Sequence, residues 1–134
     1  MQTSEDLGKL LLRIAMGVLI LFHGVSKLLH GLDAVSGAVA AAGLPALVAY
    51  GVYLGEVVAP ILLLLGLWTR LAAVVVAINM LGAFALVHYT QIATLGVGGG
   101  WALELQGIYL LTALAIALLG AGRFSVGGTR GRWN

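Results

Sequence analysis

Leu21-Phe22-His23-Gly24-Val25-Ser26-Lys27 closes an apolar run that begins at about Gly8. A histidine and a lysine four residues apart stand where an all-apolar helix would be expected to face lipid. Three later apolar runs carry ionisable residues in comparable places: Glu56, His88 and Glu104. An ionisable group in hydrocarbon costs at least ~2.5 kcal/mol on insertion scales, so each should turn inward and find a partner. The pattern predicts an all-α fold, a four-transmembrane-helix bundle with a polar pocket inside it.

Composition supports that solvent. The 134 residues are 61% hydrophobic and 9% charged, with a mean hydropathy of +1.09. A soluble domain carries about 25% charged residues, and a chain this short cannot hide so much apolar surface from water. There is no cysteine, which excludes disulfides and thiolate-ligated metal centres within the chain. The net charge is only +2, which gives no basis for nucleic-acid binding.

The spacing predicts one domain over 1–134, with spans at about 8–30, 46–67, 71–89 and 101–120. The short polar segment before the first span lacks a basic region followed by a cleavage site, so it reads as part of the mature chain. Within it, Ser4-Glu5-Asp6 can cap a helix. Arg13 lies close enough to a helix end to snorkel to the headgroups. Gly17 and Gly24 share a stripe that permits close helix approach. Asp33 and Ser36 start a short interfacial helix that Gly43-Leu44-Pro45 stops. Pro60 should kink the second span. Gly66 to Arg70 forms a tight turn with an interfacial tryptophan and a basic anchor. Gly96-Val97-Gly98-Gly99-Gly100 lacks the preceding strand and following Lys-Ser/Thr of a phosphate loop. Residues 123–134 read as a polar, basic tail.

Four crossings put both termini and the turn near residue 70 on one face. That face collects Lys9, Arg13, Arg70, Arg123, Arg130 and Arg132, and the opposite face has Lys27 alone. The asymmetry predicts a multi-pass inner (plasma) membrane protein with cytoplasmic termini. His23 then lies about 22 Å along the first span. Lys27, Glu56, His88 and Glu104 fall with it in the outer half.

Each residue also has a purely structural account. Lys27 can snorkel, Glu104 can complement a helix N-terminus, His88 can sit at the interface, and His23 can be a neutral core histidine. Asn79 reads as a helix–helix hydrogen-bond residue, about opposite to His88 by helical spacing and so outside the pocket. As chemistry, the set can bind a quinone headgroup and move protons. It can hold a metal through His23, His88, Glu56 and Glu104, or a haem between His23 and His88. It can also only fix helix packing. No Glu-x-x-His pair is present, which disfavours a ferritin-like di-iron site. These readings stay open at the level of the residues.

In order and spacing, several motifs resemble the DoxX family. They are Leu12-Arg13, Phe22-His23-Gly24-Val25-Ser26-Lys27-Leu28, Ala42-Gly43-Leu44-Pro45, Glu56, Gly66-Leu67-Trp68-Thr69-Arg70-Leu71-Ala72 and Gly120-Ala121-Gly122-Arg123-Phe124-Ser125. His88 and Glu104 also look like family positions. The resemblance implies a four-helix inner-membrane protein. The family is named for a subunit of an archaeal thiosulfate:quinone oxidoreductase, and other members are linked to redox stress. The expectation is therefore a redox-associated membrane subunit, a quinone-linked oxidoreductase subunit if it is an enzyme, embedded in lipid with other subunits or with copies of itself. Glu56 and Glu104 would handle protons, His23 and His88 would bind the headgroup or a metal, and Lys27 would supply positive charge at the mouth. With no cysteine to hold a sulfane sulfur, sulfur handling would fall to a partner or to the pocket. The alternatives are a non-catalytic accessory subunit that scaffolds a larger complex, and, more distantly, a small transporter.

Overall fold

The computed structural model describes residues 2–134. It is built from five helices: α1 (Gln2–His30), α2 (Asp33–Ala41), α3 (Leu47–Leu65), α4 (Thr69–Val87) and α5 (Glu104–Leu119). A short 3-10 turn, Tyr89–Gln91, follows α4. Among the described residues there is no strand, only an isolated bridge between Leu95 and Trp101.

Three helices, α1, α3 and α4, are long and apolar enough to cross a membrane. The fourth expected span is shorter than the sequence suggests. Trp101 to Leu103 belong to the preceding turn, so α5 has 16 residues. At about 1.5 Å per residue it covers roughly 24 Å, against about 30 Å of hydrocarbon. Helix α5 nevertheless packs along α4 through alanines. Ala72, Ala73 and Ala77 of α4 and Ala113 of α5 are buried, which lets the two backbones approach. Met16 and Ile20 of α1, Ala59 and Leu63 of α3, Val76 and Met80 of α4, and Tyr109 and Ile116 of α5 complete the core. On the outside, Leu11, Leu29, Leu47, Ile78, Leu111 and Leu118 are exposed. So much uncovered apolar surface is stable when lipid is the solvent.

Helix α1 begins earlier than expected, so Ser4, Glu5 and Asp6 lie within its first turns. Gly17 and Gly24 admit α3 closely: a Cβ at Gly17 would come within 2.8 Å of the Leu64 side chain and 3.1 Å of the Pro60 carbonyl oxygen. Helix α3 ends at Gly66, whose left-handed backbone (φ 70°) closes a turn with Gly66 and Leu67 N–H groups donating to the Leu62 carbonyl at 2.8 and 3.0 Å.

One expectation at this end is corrected. Arg13 does not snorkel. It is 1% exposed, and its Nη1 and Nη2 donate to the Ala121 and Phe124 carbonyls at 2.9 and 2.8 Å. The chain after α5 folds over it and supplies acceptors, which removes any reason to reach for the headgroups. The polar, basic residues 123–134 are held against the bundle. Thr69 Oγ1 donates to Asn134 Oδ1 at 3.0 Å, Val126 N–H to the Leu65 carbonyl at 3.0 Å, and Arg70 N–H to the Trp133 carbonyl at 2.9 Å. Arg70 is more than a headgroup anchor: its Nη1 donates to the Ala117 and Leu118 carbonyls, each at 2.8 Å, at the negative end of α5. Asp6 Oδ1 accepts the Arg123 N–H at 3.1 Å. The start of α1, the α3–α4 turn and the end of α5 thus share one end of the bundle.

Candidate functional site

Helix α3 is irregular at its centre. Leu54–Val58 forms a π turn carrying Glu56. Pro60 has no N–H to offer the Glu56 carbonyl four residues back, so the α ladder is interrupted at that point. Gly24 of α1 packs directly on that carbonyl, where a Cβ would come within 2.7 Å of the Glu56 carbonyl carbon. Gly55 is likewise filled from the other side by the Asn79 side chain of α4, whose Cγ a Cβ at Gly55 would approach to 2.5 Å. These contacts present the Glu56 side chain to α1 and α4 together.

Helix α4 ends in a second π turn, Ala83–Val87, with the His88 N–H donating to the Ala83 carbonyl at 3.0 Å. Between the two π turns lies a cavity of about 630 Å³ that every helix helps to line. Its walls are largely Val, Ile, Leu, Ala and Gly. Four of the five ionisable residues singled out in the sequence (His23, Lys27, Glu56 and His88) are on its wall. Asn79, Gln106 and Tyr109 complete its polar lining.

The polar groups form three clusters. Lys27 Nζ and Glu56 Oε2 form an ion pair. Glu56, 7% exposed, also accepts from Asn79 Nδ2 at 3.4 Å on its other oxygen. A buried carboxylate facing an ammonium and an amide is satisfied on both oxygens. The His23 ring meets Tyr109 edge to face, with centroids 6.2 Å apart. No hydrogen bond to either His23 ring nitrogen is found among the described residues. His88 Nδ1 lies 3.2 Å from Gln91 Oε1, and its Nε2 lies 3.4 Å from Gln106 Nε2. These contacts fit a ring that accepts from the Gln106 amide at Nε2 and donates to the Gln91 oxygen from Nδ1.

Glu104 is not on the cavity wall. Its Oε1 accepts the Trp101 N–H at 3.0 Å in the exposed turn before α5, while Leu105, Gln106 and Tyr109 of the same helix line the cavity. Asn79 is the reverse case, assigned outside the pocket by helical spacing and found within it. Nine residues of regular helix separate Asn79 from His88 by about 180°, but the intervening π turn absorbs one residue, and eight intervals leave about 80°. A metal set of His23, His88, Glu56 and Glu104 is not assembled: among the described residues no three His, Cys, Asp or Glu side chains come together as such a group. A haem between His23 and His88 would have to displace a contact of His88, which already uses both ring nitrogens.

Comparison with known proteins agrees with the motifs. Residues 8–89 match the DoxX family profile. A Bacillus subtilis (strain 168) protein named "Putative oxidoreductase CatD" is 31% identical over 121 residues, covering 90% of this chain and 85% of the relative. An uncharacterised protein of Haemophilus influenzae is 35% identical over 114 residues, 83% of this chain and 81% of the relative. No solved structure gives a significant match. With the match spanning more than half of its length, the chain belongs to the DoxX family.

Proposed function

We propose that the protein is a redox-associated membrane subunit whose cavity takes a quinone headgroup or a similarly flat, oxygen-bearing small molecule. The observation that carries this reading is the convergence of unspent hydrogen-bond donors in an otherwise apolar chamber. The Lys27 ammonium has three N–H groups and gives one to Glu56. His23 and the Tyr109 hydroxyl have no hydrogen-bond partner of their own among the described residues. Quinone carbonyl oxygens accept hydrogen bonds, and the ring requires apolar walls. A bound quinone would supply two-electron redox chemistry. Lys27, His23 and Tyr109 would hold its oxygens, and Glu56 would take or return a proton through Lys27. The name of the B. subtilis relative supports the redox character.

The proposed setting is the inner (plasma) membrane with both termini in the cytoplasm. Lys9, Arg70, Arg123, Arg130 and Arg132 gather at the end where α1 starts and α5 finishes, and Lys27 lies toward the other.

A second reading is favoured by one observation: Glu56 is already satisfied on both oxygens within the chain. On that reading the ion pair fixes helix packing, and the protein serves as an accessory subunit of a larger complex or of a homo-oligomer. Extraction of quinone from protein purified in mild detergent, quantified by mass spectrometry, separates the two. The ligand reading expects near-stoichiometric quinone that is lost in His23→Ala and Glu56→Gln while circular dichroism stays helical. A ligand-free protein that does not bind added quinone would sink it.

A further inference from the structure

The cavity is open between α3 and α4: of the large apolar residues lining it, Leu54 of α3 and Ile78 of α4 are the most exposed, at 58% and 62%, against 45% for Val48, 46% for Val87 and 49% for Leu105. Ile78 is nine residues from either end of Thr69–Val87, so this opening lies at mid-helix, where a spanning helix meets hydrocarbon and not water. Two glycines flank the gap, Gly51 on α3 and Gly82 on α4. Unlike Gly24 and Gly55, neither is filled by a neighbour: a Cβ at either would meet nothing within 4 Å. The polar groups lie deeper, at Lys27, Glu56 and Asn79.

We infer that the cavity is loaded sideways from the bilayer, and that its ligand is a membrane-dissolved amphiphile whose apolar tail lies in the gap at Gly51 and Gly82 while its oxygen-bearing head reaches Lys27. The inference rests on the quinone reading for the head and adds the tail and the route. A ligand arriving from water would have no use for a slot of this chemistry at this depth. Because helix packing does not require these glycines, they set the width of the slot. A larger side chain at either position shortens the tail that fits.

The test uses the full chain in lipid nanodiscs and two probes with one head: 2,3-dimethoxy-5-methyl-1,4-benzoquinone and its decyl derivative. Affinities are corrected for partition into protein-free nanodiscs. Gly51→Leu and Gly82→Leu are expected to weaken the decyl probe about tenfold, the loss of roughly two buried methylenes, and to leave the tail-less probe unchanged. Equal weakening of both probes, or of neither, overturns the inference and leaves the quinone reading standing. Failure of the unsubstituted protein to bind either probe removes the quinone reading and the inference with it. The route has its own readout, since the chain has no cysteine. A nitroxide label on Gly51→Cys or Gly82→Cys should collide with lipid-soluble oxygen more readily than with a water-soluble nickel chelate. The opposite order would show a water-facing mouth and overturn the inference.

Discussion

Gly24 of α1 rests on the backbone carbonyl of Glu56, at the one place in α3 where Pro60 withholds the N–H that would normally answer that carbonyl. The contact couples a helix–helix packing decision to the position of the buried carboxylate. It also makes Gly24 the most sensitive small residue in α1. Gly24→Ala should force α1 and α3 apart and cost about 1–3 kcal/mol as an overpacked site. Gly8, on the same helix with nothing within 4 Å of a Cβ, is the control, and Gly8→Ala should stabilise by up to about 1 kcal/mol through helix propensity. Reversible unfolding in mixed micelles, followed by circular dichroism, would read both. Equal effects would show that the carbonyl contact carries no special weight.

Lys27 and Glu56 should behave as a unit. Lys27→Met leaves a buried carboxylate without its cation and should cost about 3–5 kcal/mol, whereas Lys27→Met combined with Glu56→Gln should recover much of that loss. A double-mutant cycle on unfolding free energy gives the coupling directly. Additive losses would mean that the pair is not formed in the membrane.

Arg13 should not be replaceable by lysine. Its two terminal nitrogens serve carbonyls on opposite sides of the Ala121–Phe124 turn, and an ammonium on a lysine stem lacks the planar fork that reaches both. Arg13→Lys should therefore loosen the folded-back segment, and limited trypsin digestion at Arg123, Arg130 and Arg132 should accelerate. Unchanged digestion would show that the segment is held by the Asn134 and Thr69 contacts alone.

The proposed orientation has a direct reporter. A fluorescent protein fused after Asn134 should mature in the cytoplasm, and a phosphatase inserted at Gly98, in the loop before α5, should be active only outside it. The reverse pattern would invert the bundle and place the cavity nearer the cytoplasm.

The all-α membrane class, the short helix over Asp33–Ala41 and the close approach at Gly17 and Gly24 were all legible in the sequence, because hydropathy, stop signals and small residues act locally. The position of Asn79 was not, since spacing arguments assume 3.6 residues per turn throughout and a π turn resets the phase. Nor was the burial of Arg13, whose acceptors come from residues more than a hundred positions later. The place of Glu104 off the cavity wall was not legible for a different reason. A carboxylate at a helix start has a local use as a cap, and depth alone does not separate that use from an inward-facing one.

The π turn at Ala83–Val87 is a helix holding one residue more than a regular ladder needs. Its flanks are already in the register they would have with that residue gone. Deleting Ala85 should thus convert the turn to regular helix and leave His88 facing Gln106, whereas deleting Val74 from the regular part of α4 should rotate everything beyond it by about 100° and dismantle the fold. Assembly into membranes and resistance to heat-induced aggregation would distinguish the two deletions. A membrane span of this kind has slack built into its length, so a gap in an alignment that falls inside it need not mark a broken helix.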